Sequence, residues 1–209
     1  MKTGSANPPP VVLLAAVIVF ALFASSCSGV HGKLLVTRAN FMAARGMNSE
    51  AVHLYMEAAE HEDVAAYAQY GLGLVFFAMD ENEAAAGRFA LAEQLLEAMP
   101  EKLHRELRYR NHYNAGIVLF AGGDFAGAAG AFRNALRTSS GRTEAMRNLE
   151  LSLKSMERNG ENTAGGGSTD NAGSDEAMAQ VFQYIRQKEV EKWRSREWPQ
   201  EEHAPGDDR

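Results

Sequence analysis

The feature that most restricts this chain is a pattern of small and aromatic residues that returns three times. With Ala39, Gly73 and Gly116 in register, Ala51, Ala85 and Ala128 align twelve residues further on. Tyr55, Phe89 and Phe132 align four residues after those, and Ala58, Ala92 and Ala135 three beyond. The first two units are 34 residues apart and the third follows at 43, so nine extra residues enter around Pro100. A period of this length marks a supersecondary unit stacked on copies of itself, because one unit alone cannot bury its apolar face. Within YNAGIVLFAGGDFAGAAGAFRNAL, residues 113–136, Gly116 and Ala128 mark a close crossing of two helices. Leu119 and Phe132 fill the space beside it, and GGDF at 122–125 turns the chain. A phosphate-cradling loop would need Lys and Ser or Thr at the next helix start, and neither is there. Asp124 and Arg133 exclude a membrane helix.

Small residues at positions 8 and 20, an aromatic at 24 and Ala at 27 of a 34-residue period resemble the tetratricopeptide repeat, TPR. The resemblance covers 32–65, 66–99 and 109–142, and implies an all-α solenoid of about three helix–turn–helix repeats. The segment 143–158, TEAMRNLELSLKSMER, supplies a capping helix, with Met146, Leu149, Leu153 and Met156 on its inward stripe and Gly160 as its stop. The TPR domain is thus expected over 32–158 with seven helices. The insertion would lengthen the second repeat's B helix or form a short extra helix through 101–111.

The N-terminus has the parts of a secretory signal over residues 1–26: Lys2, a polar Pro-rich stretch, an apolar run from Val11 to Ala24, then Ser25 and Ser26 before Cys27. The run is shorter than the roughly 20 residues a spanning helix needs, unless Ser25 to Val30 are recruited. Small residues ending in Cys resemble the lipobox of bacterial lipoproteins, with Ala24 where Leu is usual. That resemblance implies lipidation of Cys27, a short tether at 27–31, and attachment to a membrane of the bacterial cell envelope, facing the periplasm or exterior. An uncleaved anchor and a cleaved, soluble secreted form remain open beside it. Loss of Lys2 would leave 20 basic and 27 acidic residues, a net charge of −7. The single Cys excludes an internal disulfide framework.

Residues 159–174, NGENTAGGGSTDNAGS, read as a flexible linker. The following segment, 175–198, reads as an amphipathic helix with Met178, Val181, Phe182 and Ile185 on one stripe and Trp193 near its continuation. It would dock on a partner, pack back on its own repeats or lie on a membrane surface through its basic face and Trp, although Glu189 interrupts the stripe; 199–209 form a disordered tail. NLELSLK at 148–154, a low-complexity linker, then YIRQKEVEKWRSREW at 184–198 resemble the TPR proteins of bacterial Bat (aerotolerance-type) operons. That resemblance implies a membrane-anchored von Willebrand A-domain protein as partner. The small repeat number and the lipobox-like anchor depart from it.

No chemistry is expected. His104 and His112 lie two helical turns apart without a third ligand, no HExxH occurs, and no nucleophile elbow is present. The formal charge of −6 disfavours nucleic acid, and the basic residues Lys102, Arg105, Arg108 and Arg110 are interrupted by Glu101 and Glu106. No metal, cofactor or enzymatic activity is expected. What remains is a surface. Groove-lining positions of TPR domains, carried over by the resemblance, fall on Val36 and Asn40; Tyr67, Tyr70, Leu74 and Phe77; Arg110, Tyr113, Ile117 and Phe120; and Arg147. Such a lining suits an amphipathic helix held by aromatic anchors, although Tyr70, Phe77 and Phe120 would equally serve packing between repeats. The leading reading is an exported, membrane-tethered TPR adaptor. A periplasmic ligand-binding or transporter-accessory lipoprotein is the second reading, and homo-oligomerisation the third.

Overall fold

The computed structural model describes residues 30–164 and residue 187. Among these, seven helices and no strand occur. Helix α1 covers 30–44, followed by α2 (Asn48–Ala58), α3 (Ala65–Ala78), α4 (Asn82–Glu97), α5 (Arg105–Ala121), α6 (Phe125–Thr138) and α7 (Thr143–Ala164). From α2 onward each helix packs on its neighbours in sequence, and α3 also meets α5 as α5 meets α7; α1 joins α2 in a shared apolar cluster. The result is an antiparallel solenoid with A helices α1, α3 and α5 and B helices α2, α4 and α6.

The repeat register is realised as close helix crossings. A Cβ added at Gly73 would stand 2.6 Å from the Phe89 ring, and one at Gly116 2.7 Å from the Phe132 ring. Gly71 does the same for Tyr55 of the preceding repeat. The Ala positions of the pattern are fully buried alongside these rings. Each A helix ends in the same turn, with Gly46, Asp80 and Gly123 at φ of 75°, 70° and 82°. Backbone bonds Met47 N–H to Met42 O, Glu81 N–H to Phe76 O and Asp124 N–H to Leu119 O close these turns at 2.9–3.0 Å, the geometry of a Schellman motif. Only the second repeat uses a side chain larger than Gly there, and Asp is one of the few that tolerate it. Asp124 then caps α6 by accepting from Gly127 N–H at 2.8 Å.

Two apolar clusters share α3. Ala68, Leu72 and Val75 face the first repeat, whereas Ala66, Tyr70, Leu74 and Phe77 face the rest. A helix apolar on every side must be buried on every side, and α3 is.

Of four expectations, one holds in one of its two alternatives and three are corrected. The insertion forms no extra helix but lengthens α4, which has 16 residues against 11 in α2 and 14 in α6. The remainder goes into the connection 98–104 and an added N-terminal turn on α5. The Arg108 guanidinium holds this junction by donating to Leu96 O, and to Met99 O at 2.9 Å, satisfying carbonyls at the end of α4. Second, α7 is rotated from the expected stripe: Leu149 packs on the core as expected, but Met146 and Met156 are exposed, and Ala145, Asn148, Ser152 and Ser155 face inward. Small residues admit close approach to α6. The two hydroxyls donate to Asn148 O and Leu151 O at 2.8 and 2.9 Å, so their burial leaves no unsatisfied group. Third, α7 runs through Gly160 to Ala164, past the expected stop and into the expected linker. Fourth, residues 30 and 31 are helical rather than tether. The signal segment, Cys27 and the tail residues Phe182, Ile185 and Trp193 lie outside the described residues.

Two measurements check this packing. Gly116→Ala should lower stability by about 1–3 kcal/mol through overpacking against Phe132, partly offset by up to ~1 kcal/mol of helix propensity. Gly130→Ala, where no atom lies within 4 Å of the added Cβ, should instead raise it by about 1 kcal/mol. Thermal unfolding of both variants should move the midpoint in opposite directions. At the α4–α5 junction, His112 lies 3.5 Å from Glu93. Burial pushes its pKa below the ordinary 6.5, and Arg108 adds to this against the opposing pull of Glu93. The folded state then holds fewer protons than the unfolded one below that ordinary value. The stability from neutral His112 is complete above pH 6.5 and falls as pH drops below it. Urea unfolding of wild type and His112→Gln between pH 7.5 and 5 (about one unit on either side of the usual histidine range) should show the variant with the shallower decline.

Candidate functional site

The A-helix residues expected to line a groove are brought to one region, but as packed side chains. Tyr70, Leu74 and Phe77 of α3 join Tyr113, Ile117 and Phe120 of α5 in one apolar cluster, none more than 6% exposed. Tyr70 packs on Phe89 at 5.9 Å between ring centroids, Tyr113 on Phe132 at 5.8 Å, and Phe120 on Phe125 at 4.7 Å. Tyr67 is half-buried, and its hydroxyl lies 3.0 Å from His104 Nδ1. Several of these aromatics, Tyr67, Tyr70, Phe77, Tyr113 and Phe120, make further interactions as well, so the lining is engaged rather than bare.

The polar members lie around this cluster. Asn40 accepts a hydrogen bond from the Tyr55 hydroxyl inside the first repeat, where Val36 is also buried. Burial drives the Tyr55 hydroxyl pKa upward, with Tyr70 adding to the effect, so Tyr55 stays a neutral donor. Arg110 pairs with Glu106 at 2.7 Å, and the same carboxylate holds Arg142 at 2.7 Å. Arg142 in turn lies 4.4 Å from the Tyr109 ring centroid. Arg147 is exposed on α7. His104 and His112 turn to different partners, Tyr67 and Glu93.

Reading from the sequence missed a ladder of buried amides. Asn114 donates to the Tyr70 hydroxyl at 2.9 Å, and Asn148 donates to the Tyr113 hydroxyl at 3.3 Å. Asn111 donates to Phe89 O at 3.0 Å and to Glu93 at 3.2 Å. The signal was present: Tyr stands fifth in the second and third repeats, and Asn sixth in the third repeat and the capping helix. Each Asn reaches back to the Tyr of the unit before it, so the pair fixes how successive units stack.

This ladder changes what alanine at these tyrosines would do. Tyr113→Phe should cost roughly 1–3 kcal/mol because Asn148 loses its partner in a buried place. Tyr113→Ala should cost about 3–5 kcal/mol, in the range for deleting a large buried aromatic. Circular dichroism melts should therefore show a lowered midpoint for both, with the alanine variant the worse. Retained wild-type melting in Tyr113→Ala would show that the ring lines a surface instead.

Neither a family model nor a curated protein matches the chain. Solved structures do. The first TPR of Spaghetti (RPAP3), bound to the HSP90 peptide SRMEEVD, superposes with a TM-score of 0.53 at 15% identity, over 60% of this chain and 93% of that one. The Sgt2 TPR domain from Aspergillus fumigatus gives a TM-score of 0.53 at 21% identity, over 66% of this chain and 84% of that one. With the shared turns, the glycine–aromatic crossings and these likenesses, the fold of this chain is an all-α TPR solenoid.

Proposed function

We propose that the protein is a non-enzymatic TPR adaptor, tethered to the cell envelope through its N-terminus, whose A-helix face holds an amphipathic helical segment of a protein. The observation that carries this reading is the joining of Tyr70, Leu74, Phe77, Tyr113, Ile117 and Phe120 from consecutive A helices into one apolar strip. Such a strip offers rigid aromatic anchors at helical spacing. The acidic HSP90 peptide in the RPAP3 complex is a different ligand class. An apolar, aromatic lining selects an apolar helix face over a run of carboxylates.

The near-complete burial of these aromatics supports a face that is filled at rest. In this reading the tail segment 175–198, through Phe182, Ile185 and Trp193, is the element that fills it or is released to a second partner. The lipobox-like sequence at Cys27 supports the tether, and the tail sequence supports a Bat-like complex with a von Willebrand A-domain membrane protein.

Crosslinking capture from native membranes tests this, comparing the full chain with one ending at Ala164, where α7 ends. If the tail fills the face, the shortened chain should capture more of the same partner, and Arg147→Glu should reduce capture without lowering the melting temperature. Loss of all capture on shortening would make the tail itself the docking element. Recovery of transporter subunits instead would sink the adaptor reading in favour of an accessory lipoprotein.

A further inference from the structure

The first unit of a solenoid ordinarily turns a polar face outward, since no neighbour covers it. Helix α1 does not. Val30, Leu34 and Phe41 are 70%, 54% and 53% exposed, and at 3.6 residues per turn they fall on one side of the helix. The opposite side carries Leu35, Val36, Ala39 and Ala43 into the core. Exposed Lys33 flanks the apolar strip on one edge, and exposed Arg38 and Arg45 flank it on the other. The Arg45 guanidinium lies 4.6 Å from the Phe41 ring centroid, so one cation is held against the apolar surface itself. Among the described residues, no ion pair engages Lys33, Arg38 or Arg45. Among the described residues, the carboxylate paired with α1 is Glu57, 3.7 Å from His31 at the edge of the strip.

The charge distribution sharpens this. Residues 1–49 contain Lys2, Lys33, Arg38 and Arg45 and no Asp or Glu, in a chain with 27 acidic and 21 basic residues overall. All the acid lies further on. The apolar run ends at Ala24, six residues before Val30, which is at most ~20 Å of extended chain. A face with an apolar centre and cations on both flanks, this close to a membrane-seeking segment, has the composition of a helix lying in a lipid interface. A second copy fits it poorly, because two such faces would set cation against cation.

We propose that this face of α1 lies on an anionic lipid surface, with Val30, Leu34 and Phe41 at the acyl boundary and Lys33, Arg38 and Arg45 among the headgroups. The inference rests on the membrane-attachment part of the proposed function and concerns the leaflet beside which α1 emerges. It converts a tether into an oriented platform, because a solenoid fixed along α1 presents its later repeats away from the bilayer.

The test uses the full chain reconstituted into vesicles, carrying F41W on a background of W193F and W198F, with brominated lipid as quencher. L34W, made separately, guards against a variant that fails to fold. Quenching in vesicles containing phosphatidylglycerol, lost in pure phosphatidylcholine and lost in K33Q/R38Q/R45Q, is the expected result. No quenching in either vesicle overturns the inference, as does equal quenching in both. A lipid-independent blue shift in a particle of dimer size would also overturn it, by showing a second copy on the face. Carbonate extraction reads attachment separately. A released chain would sink the tether, and the quenching would then judge the α1 face by itself.

Discussion

The structure depends on one contact, repeated: the edge of a B-helix aromatic ring laid directly on the backbone of an A-helix glycine. Phe89 on Gly73 and Phe132 on Gly116 leave no space for even one methyl group. Glycine inside a helix costs about 1 kcal/mol relative to alanine. Burying the aromatic it admits contributes roughly 2–3 kcal/mol, so the exchange favours the crossing. Tyr55 and Gly71 make the same contact across the first repeat boundary, which extends the constraint from one repeat to the stack.

Once the crossings are set, the remaining polar groups have few choices. The A–B turns close identically in all three repeats because the helices must reverse within the same short span. Buried amides then link neighbouring units, Asn114 to Tyr70 and Asn148 to Tyr113. A hydrogen bond of this kind is directional where apolar packing is not, so it specifies stacking angle at little net cost. The junction carrying the insertion shows the same logic. There Arg108 donates to Leu96 O, which also accepts from Met99 N–H, and to Met99 O just past the end of α4.

The ends of the solenoid are treated differently. At the C-terminal end α7 turns inward with small and hydroxyl side chains and leaves Met146 and Met156 outside. At the N-terminal end α1 leaves an apolar, cation-flanked face uncovered. An otherwise acidic molecule thus concentrates its unpaired apolar and basic character beside the segment read as its anchor. The adaptor reading and the membrane contact divide the molecule between them, one at the joined A helices and one at α1.

The sequence by itself determined the repeat, the helix crossings and the positions of the turns, because a close helix crossing admits only Gly or Ala at a fixed spacing. It did not determine which face of α7 is inward. Hydropathy favoured Met146, Leu149, Leu153 and Met156, but distance of approach favoured Ala145 and Ser152, and only the neighbouring helix decides between those demands. The same holds for Tyr70, Tyr113 and Phe120. Their spacing marks one side of an A helix, yet whether that side lines a groove or closes on other elements depends on what the rest of the chain brings against it. The insertion was visible as nine extra residues, while its division among a longer α4, the connection and an added turn of α5 was decided where Arg108 meets the carbonyls at that junction. Local spacing encodes contacts that recur; contacts made once are decided by tertiary structure, where packing distance and hydrogen-bond satisfaction outweigh pattern.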